Sequence, residues 1–181
     1  MKIAETALPG VLLLTAPVYR DARGAFTETF NLREMVEAGL PAEWPQDNFS
    51  LSQKNVLRGI HYQVGRPQGK LVRVTHGAVL DVAVDLQRSS PAFGRHVAVE
   101  LRAGSGDMLW IPPGFGHAFL ALTDEAGFAY KVTEYYFPAG ERAIVWTDPD
   151  LAISWPISPE AAIVSGKDRG GSLLRDAEVF P

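Results

Sequence analysis

The sequence has no cysteine in its 181 residues, which removes disulfide staples, thiolate zinc sites and cysteine nucleophiles together. It has no cluster of Lys and Arg either. Seventeen basic residues stand against 21 acidic ones, a formal charge of −4, and nothing in that balance calls for a nucleic-acid partner. Long apolar runs are also missing. Behind Met1-Lys2-Ile3-Ala4-Glu5-Thr6 comes only the five-residue stretch Val11 to Thr15, well short of a signal h-region or of the roughly 18 apolar residues of a membrane helix. A soluble, cytoplasmic protein with no membrane contact is the expectation, and the length suits one domain with a sizeable core.

What the chain does have is punctuation. Its 17 glycines and 13 prolines are spread along the whole length and separate short runs rich in Val, Leu, Phe and Tyr, the pattern of an all-β sandwich or barrel. Candidate strands cover 11–14, 26–30, 56–62, 71–75, 78–86, 96–101, 107–111, 118–122, 128–136 and 143–146. In 79–85 one face carries Val79, Asp81, Ala83 and Asp85, and the other Leu80, Val82 and Val84. Helix signals are few. Residues 32–38 read as a helix with Asn31 as N-cap, Glu34 at the capping-box position and Gly39 at the stop, and 172–178 as a short terminal helix. The economical organisation is one β domain over 1–181: N-terminal strands to residue 50, a barrel over 51–155 and a C-terminal appendage over 156–181.

The most specific signal of fold is Gly106-Asp107-Met108-Leu109-Trp110-Ile111-Pro112-Pro113-Gly114-Phe115-Gly116-His117. A Gly-Asp turn feeds an apolar strand, a Pro-Pro-Gly turn follows, and His117 comes at the start of the next strand. This resembles the second motif of the cupin superfamily, a double-stranded β-helix or jelly-roll barrel. The first motif falls on Gly59-Ile60-His61-Tyr62-Gln63, followed by Lys70 and Gly77. Many cupins hold a metal there with two histidines, a glutamate and the later histidine. Gln63 stands at the second histidine position and Lys70 at the glutamate position, and an ammonium beside a divalent cation is repulsive, so no metal is expected.

Without a metal the barrel mouth offers His61, Lys70, His117, Arg58 and Tyr130. Such a set suits proton transfer next to a carbonyl: an imidazole takes a C–H proton, a cation steadies the enolate oxygen, and a phenol returns a proton. Each also has a structural reading. A strand histidine can be a satisfied core residue, Tyr130 can pack with Tyr135 and Tyr136, and Lys70 can be a rim charge. Spacing alone does not choose.

A longer series of stretches narrows the choice: Asp21-Ala22-Arg23-Gly24-Ala25-Phe26-Thr27-Glu28, Gln46-Asp47-Asn48-Phe49-Ser50, Val56-Leu57-Arg58-Gly59-Ile60-His61-Tyr62-Gln63, Gln68-Gly69-Lys70, Tyr130-Lys131-Val132-Thr133-Glu134-Tyr135-Tyr136 and Ser165-Gly166-Lys167-Asp168. In order and over nearly the whole chain they resemble the dTDP-4-dehydrorhamnose 3,5-epimerase family. The resemblance implies a cofactor-independent enzyme. Its dTDP-linked 4-keto-6-deoxy sugar loses protons at C3 and C5, both acidified by the C4 ketone, and regains them on the opposite faces.

By motif, the resemblance makes His61 the general base, Asp168 its orienting carboxylate, Tyr130 the acid and Lys70 the lysine near the keto oxygen. Arg23, Glu28, Gln46, Asn48, Arg58, His117, Glu141 and Lys167 fall on the family's substrate contacts, and Phe26 offers an aromatic face or a core residue. The Arg23 region comes from a neighbouring subunit in this family, which implies a homodimer with an exchanged N-terminal strand. Two small departures, Gly116-His117-Ala118 for Ala-His-Gly and Ile60 for leucine, leave proton-transfer groups untouched but leave pocket shape open. The alternatives are a C3-only or C5-only epimerase or a ketoisomerase on a related nucleotide sugar, and a non-enzymatic cupin. The last calls for a broken member among His61, Asp168, Tyr130 and Lys70, and none is broken.

Overall fold

The structure is a computed structural model that describes residues 1–181. The strands are β1 (Lys2–Glu5), β2 (Leu12–Thr15), β3 (Tyr19–Asp21), β4 (Gly24–Phe26), β5 (Gln46–Gln53), β6 (Val56–Gln63), β7 (Lys70–His76), β8 (Ala78–Asp85), β9 (His96–Arg102), β10 (Asp107–Ile111), β11 (Phe115–Ala121), β12 (Glu125–Val132), β13 (Glu141–Ala143) and β14 (Ile163–Val164). Two short helices, α1 (Leu32–Glu37) and α2 (Gly166–Arg169), complete the set with two 3-10 turns. One sheet has the order β1-β2-β10-β7-β12-β5 and the other β13-β6-β11-β8-β9, with β14 parallel beside β6 and β3-β4 a separate hairpin. This is the jelly-roll barrel of the cupins.

The two sheets close on a cluster of 15 buried residues, among them Val72, Val79, Ala83, Leu101, Leu109, Phe119 and Phe128. Strand periodicity explains how polar groups enter it. The inward rows read Lys70-Val72-Val74 on β7, Val79-Asp81-Ala83 on β8, Phe115-His117-Phe119 on β11 and Ala126-Phe128-Tyr130 on β12. The other face of β8, Leu80, Val82 and Val84, is covered too, packing with Ile60, Leu151, Leu174 and Ala177. Gly77 makes the single-residue turn into β8 at φ +67°, where a Cβ would strike Glu125 O and Thr123 Oγ1.

The C-terminal appendage over 156–181 is packed on the barrel. Val164, Leu174 and Ala177 are buried, and β14 adds to the second sheet. The expected terminal helix at 172–178 shrinks to a 3-10 turn over Leu174–Asp176, because Asp148 Oδ2 takes the Leu174 N–H at 2.7 Å and pins the chain against the barrel.

Helix α1 ends one residue before its expected span, with Ala38 as C-cap, and Asn31 caps its start by accepting from Arg33 N–H at 3.1 Å. The capping box is not formed: Glu34 pairs instead with the Met1 amino group at 3.4 Å. Met35 seats the helix on Leu14, Leu71, Met108 and Trp110.

Three strand expectations need correction. The 26–30 strand is the hairpin arm β4, which ends at Phe26. The 128–136 strand starts at Glu125 and stops at Val132, because side chains take over the backbone donors: Glu134 accepts Tyr135 N–H, Gln46 accepts Tyr136 N–H and Gln63 accepts Phe137 N–H, all at 2.8–2.9 Å. The 143–146 strand is shifted to Glu141–Ala143 by pairing with Gln63, Tyr62 and His61.

No helix is long and apolar enough to cross a membrane. Leu109 is fully buried between the sheets, so Leu109→Ala should lower stability by about 2–5 kcal/mol in urea denaturation. Ile3→Ala on the exposed β1 should stay within about 0.5 kcal/mol of the parent.

Candidate active site

Two adjoining cavities of about 260 and 590 Å³ open at one end of the barrel and share His61, Lys70 and Tyr130. The first is also lined by Gln46, Asn48, Gln63, Gln68, Tyr136 and Glu141, and the second by Arg58, His117, Phe128, Lys167 and Asp168. The combined space is in the range of a small-ligand site. His61 enters from the second sheet and Tyr130 from the first, so imidazole and phenol meet one cavity from opposite walls.

His61 Nε2 lies 2.6 Å from Asp168 Oδ1, the ring's only hydrogen bond. Asp168 is carried by α2, whose N-cap Ser165 accepts the Asp168 N–H at 3.1 Å, and its second oxygen accepts Gly59 N–H at 3.3 Å. Gly59 has φ +126°, and a Cβ there would run into Ala118 and the His117 carbonyl, so only glycine lets β6 approach β11 at this point. Burial raises the Asp168 carboxyl, but the bond and charge of His61, with the Gly59 and Ser165 bonds, outweigh it and hold the group below its ordinary range. An ionised Asp168 puts the His61 proton on Nε2 and leaves Nδ1 as the free base.

Tyr130 extends the row of Phe128, whose ring lies 6.0 Å away, and its hydroxyl has no partner in the chain. Burial raises its phenol, with Arg58 opposing, so it is protonated at neutral pH. Lys70, 8% exposed, is pushed down to about 8 by burial, against the pull of Asp81 and Glu141. Glu141 accepts the Tyr136 hydroxyl at 2.7 Å and pairs with Lys167. Gln46 Nε2 donates to Asn48 at 2.8 Å and Arg58 Nε to Ser52 at 3.1 Å.

The arm residues are the exception. Arg23 pairs with its neighbour Asp21 on the hairpin, Phe26 is 68% exposed, and Glu28 accepts only from Asn31. Arg23 and Phe26 border a surface recess made of the hairpin alone, not the barrel cavity.

Asp81 was not among the residues expected at the site. It is fully buried and meets His117 Nε2 at 2.9 Å. Its place in the inward row of 79–85 was the available signal. His117 is cross-strand from His61, and burial pushes its ring down despite Asp81. Tyr136 and Gln68, given by the sequence only as parts of longer stretches, line the first cavity as well.

The cupin metal positions do not fit a divalent cation. His61 and His117 each commit Nε2 to a carboxylate, Lys70 brings an ammonium to the glutamate position, and Gln63 is tied to the Arg66 and Tyr135 carbonyls and the Phe137 N–H.

The family model for dTDP-4-dehydrorhamnose 3,5-epimerase matches residues 5–176. The chain is 48% identical over 182 residues to the dTDP-4-dehydrorhamnose 3,5-epimerase of Pseudomonas aeruginosa, with all of both chains covered. A dTDP-4-dehydrorhamnose 3-epimerase of Streptomyces niveus is 36% identical over 186 residues, covering 100% of this chain and 89% of that one. Among solved structures, the dTDP-6-deoxy-D-glucose-3,5-epimerase of Legionella pneumophila in complex with dTDP-4-keto-L-rhamnose superposes with TM-score 0.94 at 44% identity, covering 98% of this chain and 94% of that one. The chain belongs to the dTDP-4-dehydrorhamnose 3,5-epimerase family.

Proposed function

We propose that this protein converts dTDP-4-dehydro-6-deoxy-D-glucose to dTDP-4-dehydro-L-rhamnose in the cytoplasm, inverting C3 and C5 by proton transfer through enolates. The observation that carries the reading is an imidazole bonded to a carboxylate and an unpartnered phenol on opposite walls of one cavity, with an ammonium in the same lining. His61 Nδ1 takes the proton α to the ketone, and Asp168 stabilises the imidazolium that forms. Lys70 donates to the C4 oxygen as it gains charge. Tyr130 delivers a proton from the other face, which is what inversion needs. Each carbon passes the same pair in turn, and two inversions require the ring to present C3 and then C5.

Substrate holding divides between two regions. Gln46, Asn48, Arg58, His117, Glu141 and Lys167 bind from within the chain. Arg23, Phe26 and Glu28 bind from the partner subunit in a homodimer that exchanges the β3-β4 arm. Support for the dimer is an arm whose Tyr19 and Phe26 are 65% and 68% exposed, together with an edge strand β5 that turns Phe49 and Leu51 outward. A single 181-residue chain of this size has little reason to expose four large apolar side chains on one edge and one arm. The greater identity to the double epimerase than to the C3 epimerase favours inversion at both carbons.

Incubation with the 4-keto substrate in D2O should place deuterium at both C3 and C5, read by mass spectrometry and NMR. Label at one carbon alone points to the mono-epimerase. His61→Ala should abolish exchange at both positions, whereas Tyr130→Phe should impair completed inversion more than first proton loss.

A lysine is cationic below its pKa and neutral above it, so kcat should fall as pH rises through about 8, roughly tenfold per pH unit beyond it. Lys70→Met should lower kcat by about 10²–10³.

Light scattering should give the mass of two chains. Arg23→Ala should raise KM for the sugar nucleotide by about tenfold or more with a smaller effect on kcat, as expected for loss of a charge-assisted phosphate contact.

A further inference from the structure

Asp81 stands on β8 between the apolar Val79 and Ala83 and is fully buried. Its Oδ2 meets His117 Nε2 at 2.9 Å, while its Oδ1 has no hydrogen-bond partner. A buried carboxylate with one bare oxygen is expensive, and a valine would satisfy the packing of that row. Of the cations lining the cavity with His117, Arg58 is bonded to Ser52 and Lys167 is paired with Glu141, which leaves Lys70 as the counter-charge without a partner. Lys70 enters from the opposite sheet into the cavity that His117 lines, and its ammonium makes no hydrogen bond within the chain.

We propose that Asp81 is a positioning residue for the epimerisation: its buried carboxylate keeps Lys70 an ammonium through space and fixes the His117 proton on Nε2, so that His117 Nδ1 faces the cavity as an acceptor. This deepens the function proposed above and rests on it. The groups that act on Lys70 come from several strands. Asp81 on β8 and Glu141 on β13 favour its cation, while His61 and Arg58 on β6, His117 on β11, the Tyr130 hydroxyl on β12 and Lys167 and Asp168 on α2 share its cavity. Glu141 is half-buried and already engaged by Lys167 and the Tyr136 hydroxyl. Asp81 is the larger influence and has an oxygen to spare. Burial keeps the His117 ring neutral at neutral pH, so its contact with Asp81 is a tautomer lock and leaves the negative charge for Lys70.

The test uses the full-length protein and 13C-ε lysine NMR, with Lys70 assigned by its loss in Lys70→Arg. Wild-type Lys70 should titrate near 8. Asp81→Asn should move that midpoint down by about one pH unit. The alkaline limb of kcat should shift with it, and KM for the sugar nucleotide should stay within about twofold. Asp81→Glu keeps the charge and should return the limb to its wild-type position at reduced kcat. A residue that only packed would lower kcat and leave the limb where it was, so an unmoved midpoint in Asp81→Asn overturns the proposal.

Should Asp81→Asn not fold, 15N NMR of the wild-type His117 ring decides. The Nε2–H tautomer supports the assignment, and the Nδ1–H tautomer or an imidazolium at neutral pH overturns it. The lysine titration needs no turnover. If wild-type protein fails to exchange deuterium into the substrate, the proposed function falls while the Asp81 assignment is still decided by the Lys70 midpoint.

Discussion

The contact on which the candidate site depends is the 2.6 Å hydrogen bond from His61 to Asp168, 107 residues apart in sequence. It joins a strand in the second sheet to the last tenth of the chain, and most local features nearby exist to permit it. Ser165 caps the four-residue α2 that carries the carboxylate. β14 lies parallel to β6 and sets the register from which α2 departs. Gly59 removes the Cβ that would hold β6 away from β11, and its N–H supplies the second donor to Asp168. A carboxylate 2% exposed is tolerable because every one of these donors is in place. Loss of any of them would leave the imidazole free to rotate or to change tautomer.

The same economy governs the barrel interior. Strand alternation sends every second side chain inward, and in β7, β8, β11 and β12 those rows are mainly apolar, with Lys70, Asp81, His117 and Tyr130 as the polar members toward the cavity and Asp85 at the end of β8 engaged by Gln87 and Ser90. Phe128 is the junction: it stacks on Phe119 at 4.3 Å and lies 5.8 Å from the His117 ring. The apolar layer therefore forms the floor of the cavity and shields the polar groups from water. That raises the strength of every electrostatic interaction above it and also the penalty for burying an ammonium. Stability and chemistry pull against each other at Lys70, where burial weakens the cation that proton abstraction requires.

How much of this could be read in the sequence follows from which residues obey burial patterning. The barrel strands announce themselves because apolar alternation and Gly/Pro turns agree. β5 does not, because its pattern is inverted: Gln46, Asn48, Ser50 and Ser52 face the barrel and Phe49 and Leu51 face out. A strand whose inner face lines a polar cavity reads as a loop. The 128–136 overrun has the opposite cause, since Tyr135 and Tyr136 look like strand residues while their backbone donors are taken by Glu134 and Gln46 side chains. The resemblance located His61, Lys70, Tyr130 and Asp168 in one cavity, but Asp168 could not be placed there by spacing, because no periodicity links residue 168 to residue 61. Asp81 is visible in the sequence as an acid between Val79 and Ala83, and its contact with His117 is what gives that acid a meaning.

The polar equipment of one chain is unevenly divided, and the division bears on the proposed assembly. Within the cavity His61, Lys70 and Tyr130 are held rigidly because they stand on strands of the two sheets. The cations that suit a diphosphate are not free to the same degree. Lys167 is paired with Glu141, Arg58 is tied to Ser52, and Lys70 is deep in the barrel. Arg23, paired only with its neighbour Asp21, sits at the tip of a two-stranded arm whose side chains are all exposed and whose one polar tether to the barrel is Arg20 Nη2 to the Gly104 carbonyl at 2.9 Å. An arm so lightly held cannot define a site on its own chain, since a two-stranded hairpin is marginal in water without a surface to lie on. In the proposed dimer the partner's surface supplies that support, and ordering the arm and completing the nucleotide pocket become one event. Proton-transfer geometry would then be a property of the folded chain, and affinity for the nucleotide a property of the pair.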